Sequence, residues 1–236
     1  MIITIITLLR DKSAVEQAQR CFDSIYSLHG KEEVSAFKLK ATTPEEVDMW
    51  MHDKRIHWTY PWDKPTLDIR SGLNLHPYTT ATPAKRVACF LSHYSEWERC
   101  VVMDRPQIIM EQDALLTKRL PFELLEKSKF QIIGLNDPRG ATRKSAVFHQ
   151  KVEEAKQKGY NVIRTPKVDN ENVPQGIAGN SAYYITPEGA QKMIDLVKEF
   201  GAWPNDAIMC RQLFDKLGVT TTYYTTVQKT ASTTTL

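Results

Sequence analysis

Residues 2–7 read Ile2-Ile3-Thr4-Ile5-Ile6-Thr7. β-Branched side chains fit a pleated backbone and crowd a helical one, so the run favours an extended chain. It does not alternate apolar with polar. It therefore predicts a strand buried on both faces, as in a parallel sheet covered by helices. From Asp11 the period changes. Ala14, Ala18, Cys21, Phe22 and Ile25 fall on one side of a helix reaching Leu28. A buried strand followed by an amphipathic helix sets the class as α/β.

Downstream the alternation continues. Thr82 and Pro83 open a helix on which Val87, Phe90, Leu91, Tyr94, Trp97 and Val101 recur every three or four positions. Gln107–Met110, Phe130–Leu135, Ser181–Ile185 and Val219–Thr226 read as strands. Thr186-Pro187-Glu188 starts a helix that stops at Gly201, and Asn205 caps another expected to run to Leu217. The expectation is one domain over residues 1–236, with a mostly parallel central sheet and helices on both faces. Residues 41–80 read as an irregular aromatic loop carrying Trp50, Trp58, Tyr60, Trp62 and Tyr78 among four prolines. Such a loop serves either as a wall for an acceptor or as a plug packed on the core.

With 236 residues, 42% apolar and 25% charged, the chain is globular and neither disordered nor collagen-like. No apolar run is long enough to span a bilayer. Met1–Leu9 lacks a basic leader and a small-residue cleavage site, so a cytoplasmic chain is expected. The four cysteines are scattered without a CxxC and read as reduced core thiols. The net charge is only +3, but residues 138–168 carry eight Lys or Arg against two Glu. That basic segment either attracts a polyanion or is a solvated face.

Three places carry candidate chemistry. Glu111-Gln112-Asp113 follows a short apolar strand, where ligands of open α/β sheets gather. Two carboxylates at i and i+2 leaving a strand can hold a hard divalent cation and a substrate diphosphate, or can be plain turn residues. Asp206 lies in the first turn of the expected helix from Asn205. There it can take a proton as general base or simply cap the helix. Ser92, His93 and Glu96 do not form a nucleophilic triad, because adjacent helix positions point about 100° apart and no G-x-S-x-G elbow surrounds the serine. Cys89 and His93, at i and i+4, have no second Cys/His pair and read as a packed thiol and a hydrogen-bonded histidine. Gly176–Ser181 is a small-residue loop that lets backbone approach a ligand or merely turns. There is no G-x-G-x-x-G and no Walker A sequence.

The order of these segments resembles family 25 of the glycosyltransferases. Arg86–Trp97, with Cys89, Ser92, His93 and Trp97, is similar to that family's G-C-x-x-S-H-x-x-x-W helix. Ile108-Ile109-Met110-Glu111-Gln112-Asp113-Ala114 resembles its I-x-E-D-D-A/V segment, and Gly179–Ala190 resembles G-T-x-x-Y-x-I-S-x-x-G-A. Leu8–Asp11 is a looser match to the family's N-L-x-R start, and Val227–Ser232 resembles its close. The resemblance implies a GT-A-like nucleotide-binding sandwich, a nucleotide-sugar donor (a UDP-sugar) and a divalent metal, Mn or Mg. It assigns Glu111 and Asp113 to the metal and diphosphate, and Asp206 to the base. Arg10, Ser92, His93, Gln112, Gly179 and Asn180 fall at the donor. Gln112 stands in place of the middle acid and no histidine follows His149, so strict metal dependence is not implied.

For the acceptor, the compact length and the wording Trp203-Pro204-Asn205-Asp206-Ala207 resemble bacteriophage-encoded members. The chain also lacks the basic amphipathic tail by which many lipooligosaccharide transferases hold a membrane. The favoured acceptor is a 5-hydroxymethylcytosine-type base in phage DNA. Arg143 and Lys144 would track phosphates, and Trp58, Tyr60, Trp62 and Trp203 would contact an extruded base. A sugar hydroxyl of lipopolysaccharide or capsule is the alternative acceptor. A non-catalytic saccharide-binding or nucleotide-binding module is the third reading.

Overall fold

The structure is a computed structural model and describes residues 1–78, 80–141 and 144–228. The opening run forms β1 (Ile2–Thr7) and the amphipathic stretch forms α1 (Lys12–Leu28). Asp11 caps α1, its Oδ1 accepting the Ala14 N–H at 2.8 Å. Next come β2 (Ser35–Lys40), a single 3₁₀ turn at Pro44–Glu46, α2 (Val47–Asp53) and a hairpin of β3 (Thr66–Asp68) with β4 (Leu73–Leu75). The central segment holds α3 (Pro83–Met103), β5 (Gln107–Glu111), β6 (Ala114–Leu116), α4 (Phe122–Glu126) and β7 (Ile132–Gly134). It is followed by α5 (Ser145–Gln157), β8 (Val162–Arg164), β9 (Ala182–Ile185) and α6 (Pro187–Phe200). The short α7 (Asn205–Ile208), β10 (Leu217–Thr220) and β11 (Thr225–Val227) complete the described chain.

Seven strands form the central sheet in the order β2-β1-β5-β9-β7-β10-β8. β2, β1 and β5 run parallel, as do β7 and β10, while β9 opposes both its neighbours and β8 opposes β10. Five strands thus share one direction, and the sheet is mostly parallel with two reversed members. Both faces are covered. Ile3, Ile5, Ile108, Met110 and Tyr184 bury against Ala18, Cys21 and Ile25 of α1. Ile6, Ile109, Tyr183 and Ile185 bury against Phe90 and Trp97 of α3 and Met193 and Val197 of α6. The unbroken β-branched run of β1 is therefore explained by two-sided burial. No described helix is long and apolar enough to cross a membrane.

Several expectations are corrected. Residues 41–80 are not irregular throughout: they hold the 3₁₀ turn, α2 and the β3–β4 hairpin. Thr59 N–H donates to Ala202 O, and Ala202 N–H to His57 O, tying this segment to the end of α6. Within the basic segment, Ser145–Gln157 forms α5 and Val162–Arg164 forms β8. The helix from Asn205 ends at Ile208 instead of Leu217. Arg211 N–H is taken by Gln175 O, and Cys210 pairs with Gly176, so tertiary partners replace the next helical turn. The last expected strand divides, β10 joining the central sheet and β11 pairing with β6.

Candidate active site

Parallel strands deliver their carboxyl ends to one edge of the sheet. Here β1 ends at Thr7 and β5 at Glu111. The reversed β9 begins at the same edge, where Ser181 O accepts the Glu111 N–H at 2.8 Å. An open cleft of about 760 Å³ lies there, between the end of β1, the 41–44 connection, one face of α3 and residues Glu111, Gln112 and Asp113.

Each acid is positioned differently. Glu111 Oε1 lies 3.0 Å from His93 Nε2, and His93 Nδ1 lies 2.9 Å from the Tyr183 hydroxyl. Trp97 Nε1, which can only donate, gives its proton to that same hydroxyl at 2.9 Å. The tyrosine proton then points at His93 Nδ1, which leaves the histidine proton on Nε2, donated to Glu111. This buried relay fixes the carboxylate's orientation. Gln112, between the two acids, also lines the cleft. Its Oε1 accepts the Leu8 N–H at 2.9 Å and joins the β1 exit to the acidic turn. Asp113 is partly buried, and its Oδ1 has no hydrogen-bond partner. Burial, and Glu111 alongside, push its carboxyl up to about 7.

A second cleft of about 1240 Å³ is lined by Asp206, Tyr60, Tyr78 and Lys144. Tyr78 OH donates to Asp206 Oδ2 at 3.0 Å, and the Tyr60 and Tyr78 rings stack at 5.9 Å. The Arg86 guanidinium lies 5.0 Å from the Tyr78 ring centroid. Burial raises the Asp206 carboxyl above its ordinary value, opposed by the Tyr78 hydrogen bond and by Arg86. The helix at Asp206 has four residues, too short for the dipole support expected of a full helix. Burial, reinforced by the charges of Glu111, Asp206 and Asp113, holds the thiol of Cys89 on α3 well above the usual range.

The structure brings Ser92, His93, Glu111, Gln112 and Asp113 into the first cleft. Ser92 Oγ accepts the Thr42 N–H at 2.9 Å and donates to Ala88 O, so it supports the wall. Arg10 is exposed beyond β1 and does not line the cleft; its charge acts on Glu45. Gly179 and Asn180 also lie outside the lining, in the loop that leads to Ser181. There Asn180 Oδ1 and Ser181 Oγ are buried without partners. Of the residues expected at the acceptor, Tyr60 and Lys144 line the second cleft. Trp203 does not: it is 0 % exposed, its Nε1 donates to Thr59 Oγ1, and it packs on Tyr60 and Phe200. Trp58 and Trp62 stack on each other at 4.9 Å and lie against the core, acting as the plug. Arg143 and the end of the family-like close, residues 229–232, lie outside the described residues. Sequence reading missed Arg86 beside Asp206 and Tyr183 behind His93, since their links span long sequence separations.

The acids fit a divalent cation. Asp113 Oδ1 is an orphaned buried oxygen beside a second carboxylate, and Asn180 Oδ1 and Ser181 Oγ are orphaned in the segment that meets Glu111. Oxygen donors of this kind suit Mn²⁺ or Mg²⁺.

Residues 64–209 match the family model described as Glycosyltransferase family 25 (LPS biosynthesis protein). No curated protein matches the chain. Among solved structures, galactosyltransferase LgtC in complex with donor and acceptor sugar analogs aligns with TM-score 0.47 and 10% identity, over 98% of this chain and 87% of that one. The glycosyltransferase GlyE of Streptococcus pneumoniae aligns with TM-score 0.42 and 10% identity, over 92% of this chain and 44% of that one. Mouse xyloside xylosyltransferase 1 aligns with TM-score 0.41 and 8% identity, over 91% and 82% respectively.

Proposed function

The chain belongs to glycosyltransferase family 25, and from that premise we propose that it moves a sugar from a UDP-sugar to the hydroxyl of a 5-hydroxymethylcytosine-type base in DNA. The observation that carries the transfer chemistry is the acidic pair in the first cleft, with Asp113 Oδ1 unpartnered beside Glu111. Glu111 and Asp113 would hold a divalent cation, which when bound neutralises charge on the departing diphosphate. His93, locked by Tyr183, aims Glu111. Asp206 receives the acceptor hydroxyl proton while the acceptor oxygen bonds the anomeric carbon and the bond to the diphosphate breaks. Its raised pKa suits that task, because a more basic carboxylate accepts the proton more readily. Arg86 keeps a positive charge beside Asp206 and tempers that rise.

The DNA acceptor is supported by α5. Its Lys144 cap and Phe148 line the second cleft, and Lys151, Lys156 and Lys158 are exposed on and just beyond the helix. Tyr60 and Tyr78 line the same cleft, which would receive a flipped base. On this reading the enzyme is of the phage-encoded type and acts in a host cytoplasm. A glycan acceptor is the second reading. It is favoured by ion pairs that already engage Arg139 with Asp137, Lys144 with Asp169 and Lys167 with Glu171, and by the family's description.

The test offers Mn²⁺ or Mg²⁺ and a panel of UDP-sugars with either hydroxymethylcytosine duplex or truncated lipooligosaccharide, read by mass spectrometry. A sugar mass on the nucleoside, lost in Glu111→Gln and Asp113→Asn, is expected. Addition only to the saccharide moves the acceptor to surface glycans. No transfer to either, with ligand binding unchanged in both variants, leaves a binding module.

A further inference from the structure

Cys89, His93 and Glu111 place a thiol sulfur, an imidazole nitrogen and a carboxylate oxygen within 4.8 Å of one another. All three line the first cleft. Cys89 and His93 lie one turn apart on α3, and Glu111 ends the adjacent strand β5. We propose that these three side chains form a zinc site, distinct in donor chemistry from the carboxylate pair of Glu111 and Asp113.

Sulfur with nitrogen selects a thiophilic ion, whereas Mg²⁺ and Mn²⁺ prefer oxygen donors. Bonds of about 2.0–2.3 Å to a tetrahedral zinc need donor atoms roughly 3.3–3.8 Å apart. His93 and Glu111 are already closer than that, at 3.0 Å. Cys89 Sγ lies within 4.8 Å of both, so a shift of at most about 1 Å completes that geometry. The outer shell is in place: the Tyr183 hydroxyl sits on His93 Nδ1, the nitrogen a metal would leave free. On binding, the Cys89 thiol releases its proton to solvent. The His93 proton moves from Nε2 to Nδ1, where the Tyr183 oxygen accepts its hydrogen bond. Glu111 exchanges its hydrogen bond for the ion. Three protein ligands leave a fourth position open to the cleft, for water or a substrate oxygen. The negative charges of Asp113 and Asp206 around Cys89 favour a cation there. Because Glu111 belongs to both donor sets, zinc and the hard cation exclude each other. This last consequence rests on the proposed transfer reading; the zinc site itself does not.

The test titrates the whole chain with Co²⁺, without donor or acceptor. One equivalent should give a thiolate-to-cobalt charge-transfer band and the intense visible bands of a four-coordinate site, both displaced by Zn²⁺. Cys89→Ser should remove the charge-transfer band, His93→Gln should weaken Zn²⁺ binding roughly tenfold or more, and Asp113→Asn should keep both signals. Tyr183→Phe should lower Zn²⁺ affinity about 10–100-fold. A wild-type chain without the band, or a band unchanged in both Cys89→Ser and His93→Gln, overturns the site. Zn²⁺ should also inhibit Mn²⁺-supported transfer. Inhibition that persists undiminished in Cys89→Ser would sink the shared-ligand consequence while leaving the spectra to judge the site.

Discussion

Asp206 and Tyr78 form the pair most open to test by single substitutions. Asp206→Asn should lower turnover by about 10²–10⁴-fold with donor affinity nearly unchanged, measured as kcat against donor Kd. Tyr78→Phe removes a hydrogen bond that holds the Asp206 carboxyl down. The acidic limb of the pH–rate profile should therefore move to higher pH. Asp113 makes a prediction about the resting protein. Its carboxyl is pushed up to about 7, so between about pH 4 and 7 the folded chain holds a proton that the unfolded chain has lost. Stability is full below the ordinary carboxylate range and falls as pH rises toward 7. Asp113→Asn should raise metal-free stability at about pH 8 by about 1–3 kcal/mol, read by urea unfolding, and a divalent cation should no longer stabilise it. At this scale the sequence is informative where chemistry is local. Glu111, Asp113 and Asp206 stand out from neighbours within a few positions. Tyr78, 128 positions from Asp206, carries no mark of its partner, and Tyr183, 90 positions from His93, carries none either.

Elements are legible where one face is buried and illegible where a tertiary partner outcompetes the local ladder. α6 matches its expected bounds because Thr186 caps it, receiving the Gly189 N–H, and Gly201 ends it at φ +88°. α5 buries only Phe148 and Val152, a stripe too thin to stand out among lysines. The stretch after Ile208 has a helix-compatible pattern, yet it is held by Gln175 and Gly176. Gly176 is itself required. A Cβ there would lie 2.3 Å from Asp206 O and 2.9 Å from Met209 O, both backbone atoms that cannot swing aside. Gly176→Ala should cost about 1–3 kcal/mol and lower kcat more than donor binding, because it displaces the carbonyl of the proposed base. Circular dichroism melts beside transfer rates check this.

For the molecule as a whole, the α/β class and a mostly parallel central sheet follow from alternation alone, but strand order does not. Nothing in Ala182–Ile185 reveals that it runs against its neighbours. The DNA reading also belongs to this scale, since it depends on a field and not on one contact. Affinity for hydroxymethylcytosine duplex should fall steeply between about 50 and 200 mM salt, with a log–log slope of about −3 or steeper if three or more phosphates are met. Lys151→Glu with Lys158→Glu should flatten that slope by about 2. A salt-independent affinity would remove DNA from consideration.

The position of β9 between β5 and β7 has a consequence for synthesis. β2, β1 and β5 can pair as soon as residue 111 has left the ribosome, but the outer edge of β5 stays bare until residues 182–185 emerge. At about 5–20 residues per second, that gap lasts several seconds. During it an apolar edge, Ile108-Ile109-Met110, is exposed to other nascent chains. The chain's vulnerability to aggregation is therefore concentrated in a window of translation, and slow codons between 112 and 181 would lengthen it.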